Sequence, residues 1–322
     1  MRARYWPWVV ALALLGAPAL AQNWPVKPVR FICAQGPGIP NDLALRWVAE
    51  RLSKSMGRTF FVDNVVGAGG VIAAQTTARS APDGYTFLME GIGNVATDRY
   101  MYRSLPYNPE KDFVPVAMIF DTAAYLVAVH RDVPAKTIAE LIALAKAQPG
   151  KLSYGADTIG TAGLLGPWFN RLAGTDIVGV NYKSGAQLIQ DFVAGRTQVV
   201  FYSIALLRPY EEAGKVRALA VTSDKRYPSM PDVPTVAETL PGYRIGGMGL
   251  LAAPTGTPAD VIQRLNREVD PIVRDPEYLK RLATFGFGNT DGARTVRELE
   301  ELVRTERAQW ARVFKELNFQ PQ

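Results

Sequence analysis

A chain of 322 residues, 48% hydrophobic and 20% charged, has the composition of a globular protein with material for two ordinary domains. Its single cysteine excludes an internal disulfide, and its single histidine nearly excludes a His-based triad or a multi-histidine metal site. The net charge of +6, two of it from Arg2 and Arg4, is spread along the chain without a Lys/Arg block, whereas nucleic-acid binding wants a clustered basic face.

Residues 1–21 read as a secretory signal peptide. Arg2 and Arg4 make a basic start, Trp6 to Leu15 is apolar, and Ala19-Leu20-Ala21 is a small-x-small cleavage signal. The apolar stretch is shorter than the ~20 residues that span a bilayer, so cleavage after Ala21 is expected and a periplasmic location with it. Cys33 lies well beyond Ala21 and is read as a small buried hydrophobe, not a lipid anchor.

Strand and helix patterns then alternate. Strands are predicted at 29–33, 59–62, 85–89, 115–120, 125–129, 152–155, 177–181, 198–202, 217–222 and 249–253. Helices are predicted at about 42–56, 70–80, 137–147, 162–173, 184–195 and 205–214, and the end of the chain is helical over 258–274, 276–285 and 295–317. Thr137-x-x-Glu140 and Thr295-x-x-Glu298 fit the capping box, Asn41-Asp42 offers N-caps, and Thr257-Pro258 puts Pro at the first helical position. The alternation predicts α/β layers with mostly parallel sheets. No linker divides the chain, so two domains would be joined by crossing strands, with 115–120, 125–129 and 249–253 as candidates and a hinged cleft between the halves. His130 ends a strand and reads as a solvated loop residue. Trp310 reads as packing, and Trp47 and Trp168 as core or cleft wall, with Trp168 the candidate to line the pocket.

The most informative stretch is 29–42. A strand, Val29-Arg-Phe-Ile-Cys33, runs into a Gly/Pro loop, Ala34-Gln-Gly-Pro-Gly-Ile-Pro40, and then into a helix. Free backbone N–H groups beside the positive end of a helix suit a carboxylate or phosphate, and ligands of open α/β sheets sit at such strand ends. Four further loops share this character: Val66-Gly-Ala-Gly-Gly70, Glu90-Gly-Ile-Gly-Asn94, Gly155-Ala-Asp-Thr-Ile-Gly-Thr161 and Tyr182-Lys-Ser-Gly185. Two such loops from different domains, facing each other, would hold both ends of a small acid.

The chain resembles the Bug family, the extracytoplasmic solute receptors of tripartite tricarboxylate transporters. The resemblance runs from about Trp24 to the C-terminus. Its motifs include Trp24-Pro-Val-Lys-Pro-Val-Arg30, Val62-Asp-Asn-Val-Val-Gly-Ala-Gly-Gly70, Ala81-Pro-Asp-Gly-Tyr-Thr86, Pro149-Gly-Lys-Leu-Ser-Tyr154, Gly214-Lys-Val-Arg-Ala-Leu-Ala-Val-Thr222 and Asp232-Val-Pro-Thr235. It implies a type II periplasmic binding protein: two α/β domains, a ligand cleft between them and closure like a Venus flytrap. The expected division is 22–124 plus 251–322 for domain 1 and 125–250 for domain 2. By position the resemblance implies ligand contacts from Gln35, Gly36, Gly38 and Asp42, and from Ala156, Asp157, Thr158, Gly160 and Thr161. Glu90, Asn94, Tyr202 and Ser203 would complete the pocket. It implies no catalytic residue, cofactor or metal. The partners it implies are a small organic acid and the membrane permease, with the receptor itself a monomer.

The departures from the family pattern sharpen this reading. Gln35 stands in place of an aromatic, Glu90 in place of a small residue, Asp157-Thr158-Ile159 where small residues and Asn are common, and Phe201-Tyr202-Ser203 in place of Phe-Asp-Asn. Like charges 4 Å apart at an effective dielectric of 20 repel by roughly 4 kcal/mol, so Glu90 and Asp157 either face solvent or meet a positive or hydroxyl-bearing part of the ligand. The second case predicts an amine-bearing or heterocyclic acid in place of a plain dicarboxylate. A ligand-sensing receptor would use the same cleft. An exported enzyme is disfavoured: Ser203 is the one conceivable nucleophile, and no base can be assigned to it.

Overall fold

The structure, a computed structural model, describes residues 24–321 apart from 92, 158–160, 183, 228 and 289–290, and the side chains of 90, 122, 123, 157 and 161 are likewise outside the description. The expected signal segment 1–21 and the site positions Thr158 and Gly160 therefore lie outside the described residues. Among these, nine strands form one continuous ladder in two parts.

In the first part, β1 (Val29–Cys33), β2 (Phe60–Asn64) and β3 (Thr86–Glu90) run parallel in the order β2-β1-β3. The crossovers are α1 (Pro40–Met56) and α2 (Val71–Ala78), and a short helix, α3 (Asp98–Met101), follows β3. The second part starts on β4 (Phe113–His130). After α4 (Ile138–Ala147) come β5 (Ser153–Asp157), α5 (Leu165–Ala173), β6 (Val178–Tyr182), α6 (Gly185–Val193), β7 (Val199–Ser203), α7 (Ile204–Glu212) and β8 (Val216–Val221). β7, β5 and β6 are parallel, and β4 lies antiparallel between β7 and β8. The chain then returns through β9 (Gly246–Pro254), antiparallel to both β3 and the first half of β4. It ends in α8 (Ala259–Val273), α9 (Pro276–Thr284) and α10 (Val296–Glu316).

Three details differ from the sequence reading. Segments 115–120 and 125–129 are halves of one 18-residue strand, because the weakly apolar Asp121-Thr-Ala-Ala124 between them still carries ladder pairs, Ala123 with Gly247 and Ala124 with Gly246. Helix α1 begins at Pro40 with Ile39 as an N-cap that makes no side-chain bond, so Asn41 and Asp42 are inside the first turn; Pro at the first helical position loses no hydrogen bond. Pro258 precedes α8 as its N-cap rather than opening it. The Thr295 capping box forms as predicted, with Thr295 Oγ1 accepting from Glu298 N–H and Glu298 accepting from Thr295 N–H.

Apolar periodicity explains the layers. Leu45, Val48 and Leu52 of α1 and Leu265, Val269 and Val273 of α8 cover one face of the first part, against Phe31, Phe87 and Ile119. Leu188, Ile189 and Phe192 of α6 and Leu207 of α7 cover one face of the second part, against Leu126 and Val200. A third cluster belongs to both parts: Leu299, Val303, Trp310 and Phe314 of α10 share it with Ile32 and Leu88 on one side and Val127, Trp168 and Phe169 on the other. The last helix therefore packs across the junction.

Candidate functional site

β4 acts as a ruler through the molecule. Glu90, the last residue of β3, pairs with Leu250, which pairs with Met118 of β4. Ser203, the last residue of β7, pairs with Tyr125 of β4. β3 runs with β4 and β7 runs against it, so the carboxyl ends of both sets of parallel strands point at the same stretch of β4, from Met118 to Tyr125. That stretch is roughly 20 Å long at about 3.3 Å per residue. The ladder between β4 and β9 shifts register three times between Pro115 and Ala123. Bulges bend and twist a strand, so the crossing is where this pair departs from a regular ladder. Ladder pairs to β9 end at Ala124, and pairs to β7 begin at Tyr125. The carboxyl ends of both sets of parallel strands thus converge on the crossing, the kind of place where ligands of open α/β sheets sit.

On the first side, the loop after β1 is held by one buried carboxylate. Asp42 Oδ2 accepts from Gly38 N–H at 2.8 Å and from Arg46 Nε at 2.9 Å, and Oδ1 accepts from Asn64 Nδ2 at 2.8 Å. Asn64 Nδ2 also donates to the carbonyl of Gln35 at 2.8 Å, and Asn64 Oδ1 accepts from Arg46 at 2.7 Å. Burial pushes the Asp42 carboxyl up, but the bonds from Arg46, Gly38 and Asn64 outweigh it and hold the group below the usual carboxylate range. Asp42 and the Gly38 N–H are therefore engaged with each other. Gly36 and Gly38 line open space, where an added Cβ would meet nothing within 4 Å, and Gly38 turns at φ +82°, which glycine adopts without strain. Asn64 and Arg46 escape the sequence reading. The Val62-Asp-Asn motif contains Asn64, but nothing in its spacing tells that its amide ties two loops together.

Below the loop after β3, residues Gly93–Thr97 form a π-helical turn, a form found often at functional sites. Asn94 is buried and its Nδ2 donates to Asp98 Oδ2 at 2.9 Å; Tyr107 donates its hydroxyl to the same oxygen at 2.7 Å. Burial raises the Asp98 carboxyl, and these two neutral donors offset it only in part. Asn94 also stands against Gly70, where a Cβ would be 3.0 Å from its amide atoms, so one side chain supports two strand-end loops.

On the second side, Ala156 is buried in β5, and Tyr202 and Ser203 are half-buried at the end of β7. Ser203 is the N-cap of α7 without a side-chain capping bond. Asp157 pairs with Tyr182, and Gly155 with Val200, so two residues further on Asp157 and Tyr202 come level at the rim. The side chains of Glu90, Asp157 and Thr161 lie outside the description. Trp168 is core, 1% exposed, and does not line the site. Cys33 is buried and burial pushes its thiol up, which fits a packing role. Among the described residues no group of His, Cys, Asp and Glu is arranged to hold a metal, and no helix is long and apolar enough to cross a membrane. Two hollows, of about 750 and 720 Å³, border α10 rather than the strand ends, and their walls are charged side chains such as Arg312 and Glu316 or Arg304 and Glu301, which pair with each other.

Residues 44–319 match the family model described as tripartite tricarboxylate transporter family receptor. A UPF0065 protein of Bordetella bronchiseptica is 34% identical over 97% of this chain and 92% of its own. Among solved structures, Rpa4515 of R. palustris with adipate superposes with a TM-score of 0.78 at 32% identity, covering 93% of this chain and all of that one. The periplasmic binding protein BugD superposes with a TM-score of 0.75 at 29% identity, over 93% of this chain and all of its own. The fold is that of these two-domain α/β binding proteins.

Proposed function

The chain belongs to the receptor family of tripartite tricarboxylate transporters, and from that premise we propose that it captures a small organic acid between the two sets of strand ends, closes on it by bending at the crossing strands, and delivers it to a tripartite tricarboxylate-type permease. The observation that carries this reading is the convergence of both sets of strand ends on Met118 to Tyr125, with the 34–39 loop braced beside the opening. The adipate held by Rpa4515 supports a carboxylate as the ligand's constant part. The proposed division is 22–124 plus 251–322 for the first domain and 125–250 for the second; the end of the β4–β9 ladder pairs at Ala124 and the start of the β4–β7 pairs at Tyr125 support the first boundary. The receptor works as an exported monomer, cleaved after Ala21, without turnover of its ligand.

Glu90 and Asp157 end strands on opposite sides of the opening. Two acids there favour a ligand with a positive or hydrogen-donating part, an amine-bearing or heterocyclic acid. The test is mass spectrometry of whatever the purified protein releases on denaturation, followed by calorimetry with the identified compound. The expected result is a carboxylic acid that raises unfolding free energy by about 2.7 kcal/mol at one hundred times its Kd. Turnover of the compound, or release of nothing acidic together with no stabilisation by any carboxylate, overturns the reading.

A further inference from the structure

Domain 2 offers a ligand two helix starts at the rim, α5 behind the 155–161 loop and α6 behind Lys183-Ser184. They are not equivalent. Gly155 of β5 faces α6, since a Cβ there would lie 2.8 Å from Leu188 Cγ. Alternation along the strands puts Val200 and Tyr202 on the same face, and Val200 is buried in the cluster that contains Leu188. Tyr202 therefore reaches up beside α6. Its hydroxyl lies against Gly185, the first residue of that helix: a Cβ at 185 would overlap the hydroxyl and stand 3.0 Å from Cζ. Only a residue without a side chain admits the phenol there, so Tyr202 and Gly185 fit as a pair. Ser184, the N-cap of α6, makes no side-chain capping bond, and the phenol oxygen lies against Gly185, the first residue of this turn.

We propose that Tyr202, seated on Gly185, is a specificity-determining residue: it covers the amino-terminal turn of α6 and so denies a second carboxylate the backbone N–H groups of that turn. The far end of the ligand meets the Tyr202 phenol in place of a helix terminus. A ligand with one carboxylate and a neutral or cationic far end suits this wall; a plain diacid of equal length does not. This rests on the carboxylate-receptor reading above.

The experiment uses pairs of acids that differ at one end: succinate with 4-aminobutanoate, and adipate with 6-aminohexanoate. Their affinities are measured by calorimetry for the intact protein and for Tyr202→Ala, Tyr202→Phe and Gly185→Ala. In the intact protein the amino acid of at least one pair is expected to bind ten-fold or more tightly than its diacid. Tyr202→Ala is expected to shrink that ratio at least ten-fold by admitting the diacid, whereas Tyr202→Phe, which keeps the ring over the turn, keeps most of it. Gly185→Ala is expected to lower the melting temperature of the intact protein and to do so much less in the Tyr202→Ala background, a coupling expected only if the two residues touch. A ratio that favours the diacid in the intact protein, a ratio unmoved by Tyr202→Ala, or equal melting shifts for Gly185→Ala in both backgrounds overturns the proposal. Binding of none of the four acids by any variant, with the melting coupling intact, overturns the carboxylate reading itself and the proposal with it.

Discussion

The two sets of strand ends, the jaws of the proposed cleft, are fixed by different physics. On the first side, a polar network does the work: one buried carboxylate, Asp42, gathers a loop N–H, an arginine and an amide, and Asn64 carries the connection to the next loop. On the second side, large side chains sit on positions that have none. Tyr154 lies on Gly166 and Gly179, Leu188 on Gly155, and Tyr202 on Gly185. The first jaw is therefore sensitive to charge and proton activity, and the second to volume. A hydrogen-bonded loop tolerates small displacements of its neighbours, whereas a close-packed contact transmits them, because a packed interior has few voids to absorb a methyl group.

This contrast can be broken most strongly at Gly166. A Cβ there would overlap the ring of Tyr154, so Gly166→Ala is expected to cost roughly 3 kcal/mol in urea unfolding, the upper part of the usual range for overpacking. The same substitution with Tyr154→Phe is expected to recover little, since ring carbons as well as the hydroxyl are overlapped. A cost below ~0.5 kcal/mol would show that the second jaw is not volume-limited. Next in size is Asp42→Ala. It leaves Gly38 N–H, Arg46 and the Asn64 amide without their common acceptor, with an expected loss of about 2 kcal/mol and faster hydrogen exchange at Gly38. Unchanged exchange there would mean the loop is held by something other than Asp42. The smallest effect is the pH dependence. The folded Asp42 carboxyl lies below its ordinary value of 3.8, so its contribution is present above that value and fades as pH falls through the folded one. Asp42→Asn is therefore expected to flatten the acid limb of the stability curve below the carboxyl's ordinary value of 3.8, while Gly166→Ala shifts the curve without changing its slope.

The same contrast explains what the sequence discloses. Elements were legible where apolar spacing is regular: β1, α8 and α10 fall within two residues of the predicted ranges, because the buried faces of those helices repeat at helical period. The merger of two predicted strands into β4 was not legible, since Asp121-Thr-Ala-Ala124 has no alternation and is held by its neighbour β9. At the site, the loop at 34–42 was legible from Gly and Pro alone. The inward turn of Asp42 was not, because a carboxylate near a helix start looks the same whether it caps, binds a ligand or braces a loop. Asn64, at the end of β2, and Gly185, across the cleft, depend on contacts distant in sequence, and no local pattern announces them.

β4 and β9 also govern the order in which the molecule can be completed. β1, β2 and β3 emerge first during synthesis, yet β3, paired with β1 on one side, gains its second neighbour only when residues 246–254 arrive, and the cover of α8 and α10 comes later still. Such long-range pairing is slow to form, because the loop it closes costs entropy before any contact repays it. The half of the protein made first is therefore the half finished last. A chain truncated before Gly246 would leave the edge of β3 and the apolar face beneath α8 uncovered, a state prone to aggregate and open to proteases.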